Sequence, residues 1–535
     1  LKLVTPTSGY GVRFSTIQIP TSGKWYWEAH LEAVNTVAPI LGVSAYDGTG
    51  TWFFAEGSRV GLGYYGASGY LYGNQDTSGS SYGDVYAAGD IISVAVNVDD
   101  DEVTFYKNGV SQGADSFDAA GLFAAFGDYS NSHSCTWVVN FGQDSSFAGV
   151  KAAQGHTDEN GIGDFYFSVP SGFLTLCTAN LPAPGIDPSV GGNPEKHFNT
   201  RLFNGSGGTQ SITGVGFQPQ WLWIKRRDSS PTEHGLFDIV RGAGKSLKSN
   251  NAVAEQTQTD SVTSFDSDGF SLGANGQAGP DVNYTSGGSY VSWNWLAGGS
   301  ASSNSNGSIT SSVSANTEAG FSIVGYTGNA TAGATIGHGL SQAPEYVIWK
   351  NRSSGVNWLV QADPIGSPSG GNIILLNTTG AAYANSNFNT TFGSSTITLD
   401  SGSNYNGSGN NIIAYCFHSV EGYSKIGSYV GDGSTDGPFV YTGFRPAWLL
   451  VKSTGGSPAN NGWYIYDNKR NNFGTLVDVQ LYANLTSADD DGSRDLDFTS
   501  NGFKPRLTDV NVNASGVTYF YLAFAEQPFK YANAR

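Results

Sequence analysis

Acidic side chains gathered in two short runs are the first residues of this sequence that could do chemistry. One run is Asp99–Glu102, and the other contains Asp489, Asp491 and Asp495. Carboxylates close together on a loop are the ligands that Ca²⁺ prefers, and the second run is the better candidate. Neither run has the EF-hand spacing, and aspartate is also a common turn residue. The sequence therefore leaves two interpretations open, a weak calcium site and an ordinary turn.

A lysine and an aspartate recur together three times in the last two-thirds of the chain. The lysines are Lys225, Lys350 and Lys452, and the aspartates that follow them are Asp238, Asp363 and Asp467. Recurrence at equivalent positions favours a structural role, such as pairing with the repeat lysine or closing a backbone turn. Ligand binding, and catalysis by paired carboxylates that flank a sugar, stay open as alternatives.

The other patterns associated with catalysis are weak. Gly61–Gly66 (GLGYYG) matches the dinucleotide-binding spacing, but no helical period follows it, as that site requires. The seven histidines show no metal-binding spacing, and the three cysteines are too few to complete a site. No Gly-x-Ser-x-Gly elbow is present. We therefore expect no cofactor beyond the weak calcium candidate, and we expect that the protein is not an enzyme.

Aromatic rings beside polar residues are typical of sugar and peptide sites. The sequence YDGTGTWFF places three aromatic residues, Trp52, Phe53 and Phe54, directly after a glycine-rich turn. One interpretation makes Tyr46, Asp47, Trp52 and Phe53 a ligand-binding rim. In the other, Trp52 and Phe54 simply face the core.

The composition indicates which elements must position these residues. The 535 residues include 73 glycines, and charged residues make up only 13%, about half the usual share. Abundant aromatic residues exclude a disordered chain, and glycines without a three-residue period exclude collagen. The net charge of −18 argues against binding to nucleic acid or to an anionic membrane surface. No stretch of about 18 apolar residues predicts insertion into a membrane.

Residues 1–182 contain hairpin signals in an ordered series. Lys24–Ala33 alternates aromatic and polar residues, and Gly89–Val110 reads as strand, acidic turn, strand and Asn-Gly turn. The ordered motifs are SGKWYWE, LGVSAYDG, GDIISVAVNVDDDEVTFYKNG, VNFGQ and GDFYFSVPSGFLTLCTANLP. Together they resemble a SPRY domain, apart from an insert between Gln143 and Gly163. The resemblance implies a β-sandwich that binds partners through loops at one rim and carries no enzymatic activity.

The remaining chain contains three divergent copies of one unit. Each copy opens with a glycine-rich segment, continues through a strand that ends in lysine, and closes with an aromatic strand. The copies are predicted at 196–297, 318–422 and 424–535, each as a β-sandwich with its own core. Linkers are predicted at 183–195 and, where the composition is Ser/Asn-rich, at 298–317. The predicted fold is all-β, with a SPRY-like sandwich followed by three related sandwich repeats.

The repeats and the C-terminal sequence YFYLAFAEQPFKYANAR are similar to those of virion proteins of tailed phages. This resemblance implies a tail-fibre or receptor-binding protein on the surface of the particle. Such a protein would contact other virion proteins and a host-surface receptor or glycan, and it would be a homo-oligomer, with a trimer typical of fibres. A capsid decoration or head fibre and a host-polysaccharide depolymerase are the alternatives. Because the sequence begins at Leu1 and contains no Met, we expect an attachment segment outside it.

Overall fold

In the computed structural model the chain consists mainly of β-strands, many of them in segments where aromatic and small residues alternate. The structure describes residues 1–5, 11–34, 39–45, 61–73, 76–117, 121–128, 134–275, 279–366, 371–455, 462–470, 476–491 and 495–532. The chain divides into two compact units, Leu1–Ala183 and Pro184–Arg535. No helix among the described residues is both long and apolar enough to cross a membrane.

The first unit is a two-sheet sandwich. Its strands are β1 (Lys2–Val4), β2 (Val12–Gln18), β3 (Lys24–Val34), β4 (Pro39–Ala45), β5 (Gly61–Tyr65), β6 (Tyr70–Gly73), β7 (Asp76–Ser81), β8 (Ile91–Asn97), β9 (Glu102–Lys107), β10 (Val110–Ser116), β11 (Leu122–Asp128), β12 (Cys135–Asn140) and β13 (Leu174–Thr175). One sheet has the order β1-β12-β3-β8-β9-β10, with β13 parallel to β3, and the other has the order β2-β11-β4-β5-β6-β7. Alternate side chains of both sheets, such as Trp27 and Trp137 of the first and Phe126 of the second, fill the core between them.

The predicted hairpin of the first unit is confirmed. Strands β8 and β9 pair around the acidic turn, and Asn108 and Gly109 turn the chain into β10 with positive φ angles of 49° and 82°. The Gly-Leu-Gly-Tyr-Tyr-Gly segment begins as strand β5 and is not followed by a helix. Gly61 serves strand pairing, because a Cβ at this position would lie 2.7 Å from the Val43 carbonyl oxygen of β4.

The segment that follows β12 closes the outer face of the first sheet. Glu28 is fully buried on β3, and its carboxylate accepts hydrogen bonds from the Tyr166 and Phe167 amides and from the Tyr26 hydroxyl. Burial raises the pKa of Glu28, and these donors oppose that effect. The insert that departs from the SPRY pattern therefore leads into a segment that is fixed to the sheet, and β13 supplies an added parallel strand.

The second unit contains the three repeats. Repeat 1 has β14 (Phe198–Asn204), β15 (Gln210–Thr213), β16 (Trp221–Arg226), β17 (Gly235–Asp238), β18 (Lys245–Ser246), β19 (Gln256–Thr257), β20 (Val262–Asp266), β21 (Gly269–Leu272) and β22 (Ser289–Trp295). Repeat 2 has β23 (Ser302–Asn304), β24 (Ser311–Asn316), β25 (Phe321–Thr327), β26 (Thr335–Gly337), β27 (Tyr346–Asn351), β28 (Leu359–Ala362), β29 (Asn372–Leu375), β30 (Tyr383–Ala384), β31 (Thr391–Phe392), β32 (Thr396–Thr398), α1 (Ser403–Asn406) and β33 (Asn411–Phe417). Repeat 3 has β34 (Ser424–Val430), β35 (Val440–Tyr441), β36 (Phe444–Ser453), β37 (Tyr464–Asp467), β38 (Leu476–Val477), β39 (Leu481–Tyr482), β40 (Leu496–Thr499), β41 (Gly502–Pro505), α2 (Val510–Asn513) and β42 (Thr518–Pro528). Short 3-10 helices lie at Pro188–Val190, Pro194–Lys196, Asp363–Ile365, Ser386–Phe388 and Phe529–Tyr531.

All three repeats share one four-strand arrangement. The orders are β14-β22-β16-β17, β25-β33-β27-β28 and β34-β42-β36-β37, so the closing strand always lies between the opening strand and the lysine strand. A smaller sheet, such as β15-β21-β20 or β26-β32-β31, faces each main sheet. The prediction of related β-sandwich repeats is therefore confirmed.

The two predicted linkers are wrong for the described residues. The Ser/Asn-rich segment 298–317 contains β23 and β24, and β24 pairs with β25 from Ser312 to Asn316. In the segment 183–195, Ile186 is fully buried, and Asp187 accepts a hydrogen bond from the Tyr531 hydroxyl. Both segments are built into the second unit, because a few well-placed apolar residues are enough to attach an edge element.

The three sandwiches are also joined by a common core, which the prediction of a separate core for each copy missed. The outward faces of the main sheets contribute aromatic side chains to one cluster. Trp221 of repeat 1 stacks on Tyr415 of repeat 2, with ring centroids 4.4 Å apart. Phe524 of repeat 3 lies 6.0 Å from Phe417 and 5.8 Å from Trp295. Each repeat therefore contacts both others, and the three form a closed ring.

The same polar contact recurs at all three junctions of the ring. The residue just before β17, β28 or β37 donates a ring N–H to a backbone carbonyl of the neighbouring repeat. The pairs are His234 to Tyr482 (2.9 Å), Trp358 to Lys248 (2.8 Å) and Trp463 to Leu375 (3.0 Å). The indole of Trp223 donates to Nδ1 of His234, so the proton of this histidine lies on Nε2. The repeats are thus related by an approximate threefold arrangement within one chain.

Candidate functional site

The predicted aromatic rim lies outside the described residues. Tyr46, Asp47, Trp52 and Phe53 all fall between β4 and β5, in the range 46–60. Both interpretations of this segment, a binding rim and a core contact, therefore stay predictions.

The aspartates predicted as weak calcium ligands have different surroundings. The Asp489 carboxylate accepts hydrogen bonds from Arg227 Nε (2.7 Å) and from the Arg470 guanidinium (3.0 Å). Asp491 is exposed, and Asp495 has its pKa raised by burial and by neighbouring carboxylates. Among the described residues, no group of three or more acidic, histidine or cysteine side chains is placed to hold a metal ion. Asp489 instead joins repeat 3 to repeat 1.

The three repeat lysines are buried at the ring junctions. Burial lowers the pKa of Lys225 and Lys350 to about 8 and that of Lys452 to about 7. Lys350 Nζ donates to the carbonyl of Ala252 in repeat 1 (2.9 Å), and Lys452 Nζ donates to that of Thr379 in repeat 2 (3.4 Å). Lys225 Nζ donates to the Arg226 carbonyl and the Thr232 hydroxyl of its own repeat. The predicted pairing with the repeat aspartates is therefore wrong.

Asp238 and Asp467 are buried and pair with arginines three residues later. Asp238 binds Arg241, and Asp467 binds Arg470 with 2.6 Å between Nε and Oδ2. Burial alone would raise the pKa of Asp467, but the adjacent guanidinium brings it below its usual value. The structural role predicted for these two aspartates fits this geometry.

Asp363 differs from the other two aspartates in the sequence pattern. Asp238 and Asp467 are the last residues of their strands, whereas the last residue of β28 is Ala362. Asp363 begins the 3-10 helix Asp363–Ile365 and is exposed. Its proposed equivalence to the other two is therefore wrong by one residue. Although the residue as a whole is exposed, partial burial of its carboxyl group and the nearby Glu345 raise its pKa to about 6.

One end of each sandwich carries a glycine-rich loop that is held by a buried asparagine. In repeat 1, Asn283 accepts from the Ser206 amide (2.8 Å) and donates to the Gly208 and Gly273 carbonyls. Asn406 and Asn513 are also fully buried and make the same kind of contacts. Sequence reasoning missed these asparagines, although each lies shortly before a closing aromatic strand in the chain.

Asn406 fixes the loop of repeat 2, and Asn513 fixes that of repeat 3. The Oδ1 atoms of these asparagines accept from the amides of Asn329 and Asp432. Their Nδ2 atoms donate to two backbone carbonyls each, at distances of 2.8 to 3.1 Å. One side chain thus spans two segments of backbone in every repeat. The loops are therefore preorganised by contacts beneath them, and their upper surfaces are left to solvent.

Exposed apolar side chains flank these loops in the terminal repeats. Tyr284 follows Asn283 directly and is 63% exposed, and Val510, at the start of α2, is 47% exposed. A ring or an aliphatic side chain beside backbone polar groups can bind a sugar face or a peptide side chain. The loop ends, defined here as 205–209 with 283–288, 328–334 with 403–410, and 431–437 with 509–516, are the candidate binding site.

Comparisons with known proteins identify both units. A family model described as domain of unknown function (DUF7483) matches residues 193–528, and a SPRY domain model matches residues 24–144. No curated protein matches the sequence.

Solved structures of SPRY domains match about a quarter of the chain. The SPRY domain of human HERC1 is 22% identical and covers 26% of this chain and 86% of that chain, with a TM-score of 0.23. A human SPRY domain is 19% identical and covers 25% of this chain and 86% of that chain, with a TM-score of 0.21. The TRIM65 PSpry domain is 18% identical and covers 25% of this chain and 73% of that chain, with a TM-score of 0.20.

Proposed function

Because the chain belongs to the DUF7483 family and also carries a SPRY domain, we propose that it is a non-catalytic adhesion protein of a virus particle. The similarity of the repeats and of the C-terminal sequence to tailed-phage virion proteins supports a tail-fibre or receptor-binding position. The partners in this proposal are other virion proteins and a receptor or glycan on the host surface.

The observation that carries the proposal is the closed ring with its three loop ends. Each loop is held by a buried asparagine, and each sandwich is fixed to both neighbours. Loops that are already ordered lose little conformational freedom when they bind. Three sites at fixed spacing gain effective concentration once one of them has bound. The arrangement suits adhesion through several weak contacts.

The non-catalytic part of the proposal rests on how the buried charges are used. Lys350 and Lys452 donate to carbonyls of a neighbouring repeat, and Asp238 and Asp467 are held by arginines at ring junctions. A catalytic acid or base needs access to a substrate proton. These buried charged groups instead make contacts that hold the repeats together.

Cell binding tests the proposal. The fluorescently labelled chain is incubated with bacteria that adsorb the parent particles, and bound label is counted by flow cytometry. We expect saturable binding that weakens when Tyr284→Ser and Val510→Ser are combined. Val190→Ser is the control, because Val190 is 84% exposed and lies outside the loop ends. Equal binding by all three proteins would contradict adhesion through the loop ends.

Two further measurements separate the alternatives. Gold-labelled antibody against the ring should mark the tail of the particle, whereas label spread over the shell would favour a capsid decoration. Release of reducing ends from purified host glycan would favour a depolymerase and would contradict the non-catalytic proposal.

A further inference from the structure

The outer edges of the main sheets differ between repeats. In repeat 2, the edge of the opening strand β25 is covered by β24, with Ser312 opposite Gly325 and Asn316 opposite Phe321. In repeat 1, the equivalent strand β14 is the last strand of its sheet. Repeat 2 therefore shows how a strand is added at this edge, and among the described residues of the second unit no strand pairs with the equivalent edge of repeat 1.

The register identifies the backbone groups along the open edge. His197 accepts from the Leu296 amide at one end of β14, and the Gly205 amide donates to Gly288 at the other. Hydrogen-bonded and non-bonded pairs alternate in an antiparallel ladder. The odd-numbered residues of β14 therefore bond to β22, and the Leu202 amide points away from the sheet. Within the described part of the chain this amide has no hydrogen-bond partner, and Leu202 is 38% exposed.

An arginine without a hydrogen bond at Nε lies on the same edge. Arg201 Nε is buried and has no partner among the described residues, while backbone hydrogen bonds and the charge of this guanidinium lower the pKa of the nearby exposed Asp268. Counting from the first residue of each opening strand, Arg201 corresponds to Val324, which faces Val313 of the covering strand β24. The added strand in repeat 2 thus places an aliphatic side chain where repeat 1 presents a cation.

We propose that the open edge of β14 binds an extended acidic segment of a partner protein. The segment adds as an antiparallel strand, bonds to the Leu202 amide, and places a carboxylate opposite Arg201. Strand addition to a sheet edge gives affinity through main-chain bonds and selectivity through alternate side chains. Opposite charges across a strand pair stabilise it, and a charge-assisted bond completes the guanidinium. This interaction goes beyond adhesion, because it attaches the ring to another protein.

Peptides based on the covering strand test the proposal. The parent peptide has the sequence of residues 310–316, TSSVSAN, and the acidic peptide, TSSDSAN, has aspartate in place of Val313. Binding of each fluorescent peptide to the full chain is measured by anisotropy. We expect the acidic peptide to bind at least about tenfold more tightly, the size of one charge-assisted hydrogen bond. Arg201→Gln should remove the difference between the peptides.

Proline at an outward position gives a matched pair of variants. Leu202→Pro removes only the outward amide of β14, so the ladder and the unfolding midpoint should stay intact while binding is lost. Val430→Pro is the control, because Val430 also points outward on the equivalent strand β34 of repeat 3. That strand has Gly427 where β14 has Arg201. Removing the outward amide of Val430 should therefore leave binding of the acidic peptide unchanged.

Three results would overturn the proposal. The first is no binding of the acidic peptide at millimolar concentration, and the second is unchanged binding by both Leu202→Pro and Arg201→Gln. The third is a dimer of the chain alone that Leu202→Pro separates in sedimentation, which would assign the edge to a second copy. If Leu202→Pro fails to fold, Arg201→Gln decides between the outcomes.

Discussion

Two buried ion pairs show how single residues specify the junctions of the ring. Asp238, already held by Arg241, also accepts from the Tyr415 hydroxyl of repeat 2 (2.7 Å). Asp467, held by Arg470, accepts from the Trp293 indole of repeat 1 (2.9 Å). Each buried carboxylate is thus used by its own arginine and by a polar ring atom of the next repeat. A buried pair of charges is tolerated only with such additional hydrogen bonds.

The third junction has no charges at these positions. In repeat 2 the corresponding residues are Ala362 and Ile365, and the helix Asp363–Ile365 packs against β34 of repeat 3. The position that holds Trp293 or Tyr415 in the other repeats holds Leu522 here. At this junction the apolar pair Ala362 and Ile365 therefore takes the place of the ion pair, and the apolar Leu522 takes the place of the polar ring. The buried ion pairs of repeats 1 and 3 need a polar ring on the next repeat, whereas the apolar pair of repeat 2 needs an apolar side chain. This difference favours one cyclic order of the repeats.

Replacing the ion pair of repeat 3 tests this interpretation. Arg470→Ile should lower the free energy of unfolding by about 3–5 kcal/mol, because it leaves Asp467 buried without its cation. Adding Asp467→Ala copies the pair found in repeat 2, and should recover at least half of that loss. Urea unfolding monitored by tryptophan fluorescence measures both. A double variant no more stable than the single one would show that the carboxylate itself is needed by Trp293.

The buried lysines predict an increase in stability at alkaline pH. The unfolded pKa of Lys350 is 10.5 and its folded pKa is about 8. Between these values the unfolded chain holds a proton that the folded chain has released, so the free energy of unfolding rises with pH. The gain is present above the unfolded pKa and is lost as pH falls towards the folded pKa. Each such lysine contributes up to about 1.4 kcal/mol per pH unit.

Urea unfolding of Lys350→Met between pH 8 and 9.5 isolates this contribution. The slope of the free energy of unfolding against pH should be smaller than in the parent chain by up to about 1 kcal/mol per unit. Lys469→Met is the matched control, because Lys469 is a half-exposed lysine of the same unit. A parent slope retained in Lys350→Met would mean that Lys350 stays protonated in the folded state.

The sequence revealed these residues but not their partners. The recurring lysines and aspartates were recognised by spacing, and a structural role was predicted for them. Some of their contacts come from other repeats, 98 residues away for Lys350 and 177 for Asp238. The one-residue shift at Asp363 depends on the length of the turn between β27 and β28. Sequence spacing alone predicts neither the partners from other repeats nor this shift, because the register of a strand pair is set by its turn and by what it packs against.

At the scale of elements, a Ser/Asn-rich segment formed the covering strand of repeat 2. Its composition predicted a linker, because few of its side chains are large and apolar. In the strand, Val313 is almost fully buried and Ala315 packs against the same core. The strand gains its stability from ladder bonds on both sides, to β23 and to β25, and from the alternate side chains that reach the core. Composition therefore failed here, whereas the alternation of Val and Ala within the tract carried the correct signal.

Two aspartate variants distinguish a strand from a linker in this segment. Val313→Asp should lower the free energy of unfolding by at least about 2 kcal/mol, because it buries a carboxylate in the core of repeat 2. Ser312→Asp, one residue away and exposed, should change it by less than about 0.5 kcal/mol. Thermal unfolding compares the two, and an equally small effect of both would support a linker.

Elements with strong alternation were predicted well. The aromatic alternation of β3 and the acidic hairpin of β8 and β9 appear where the sequence placed them. Local pattern was enough to predict these strands and hairpins, whereas the SPRY sandwich was predicted from the resemblance of the ordered motifs and the repeat sandwiches from the recurrence of one unit. The ring did not follow, because strands such as β16 are buried on both faces. Continuous apolar runs such as Trp-Leu-Trp-Ile predict burial but give no information on what covers the second face.

At the scale of the whole second unit, the ring closes only when repeat 3 contacts repeat 1. The pairs that close it include Phe198 with Phe524, at 5.2 Å between ring centroids, and Trp295 with Trp448, at 5.5 Å. Arg227 and Asp489 form an ion pair across the same junction. Removing repeat 3 would expose this aromatic face of repeats 1 and 2. Exposed apolar patches of this kind promote aggregation.

Fragment expression therefore distinguishes a ring from a row of independent sandwiches. Residues 184–422 alone should bind a hydrophobic dye and aggregate, because two of the three ring junctions are missing their partner. Co-expression with residues 423–535 should restore a soluble complex, since the aromatic face is covered without a covalent connection. The intact unit should unfold in one calorimetric transition, with a calorimetric enthalpy equal to the van't Hoff enthalpy. A soluble, cooperatively folded 184–422 fragment would instead mean that the shared core adds little beyond the core of each sandwich.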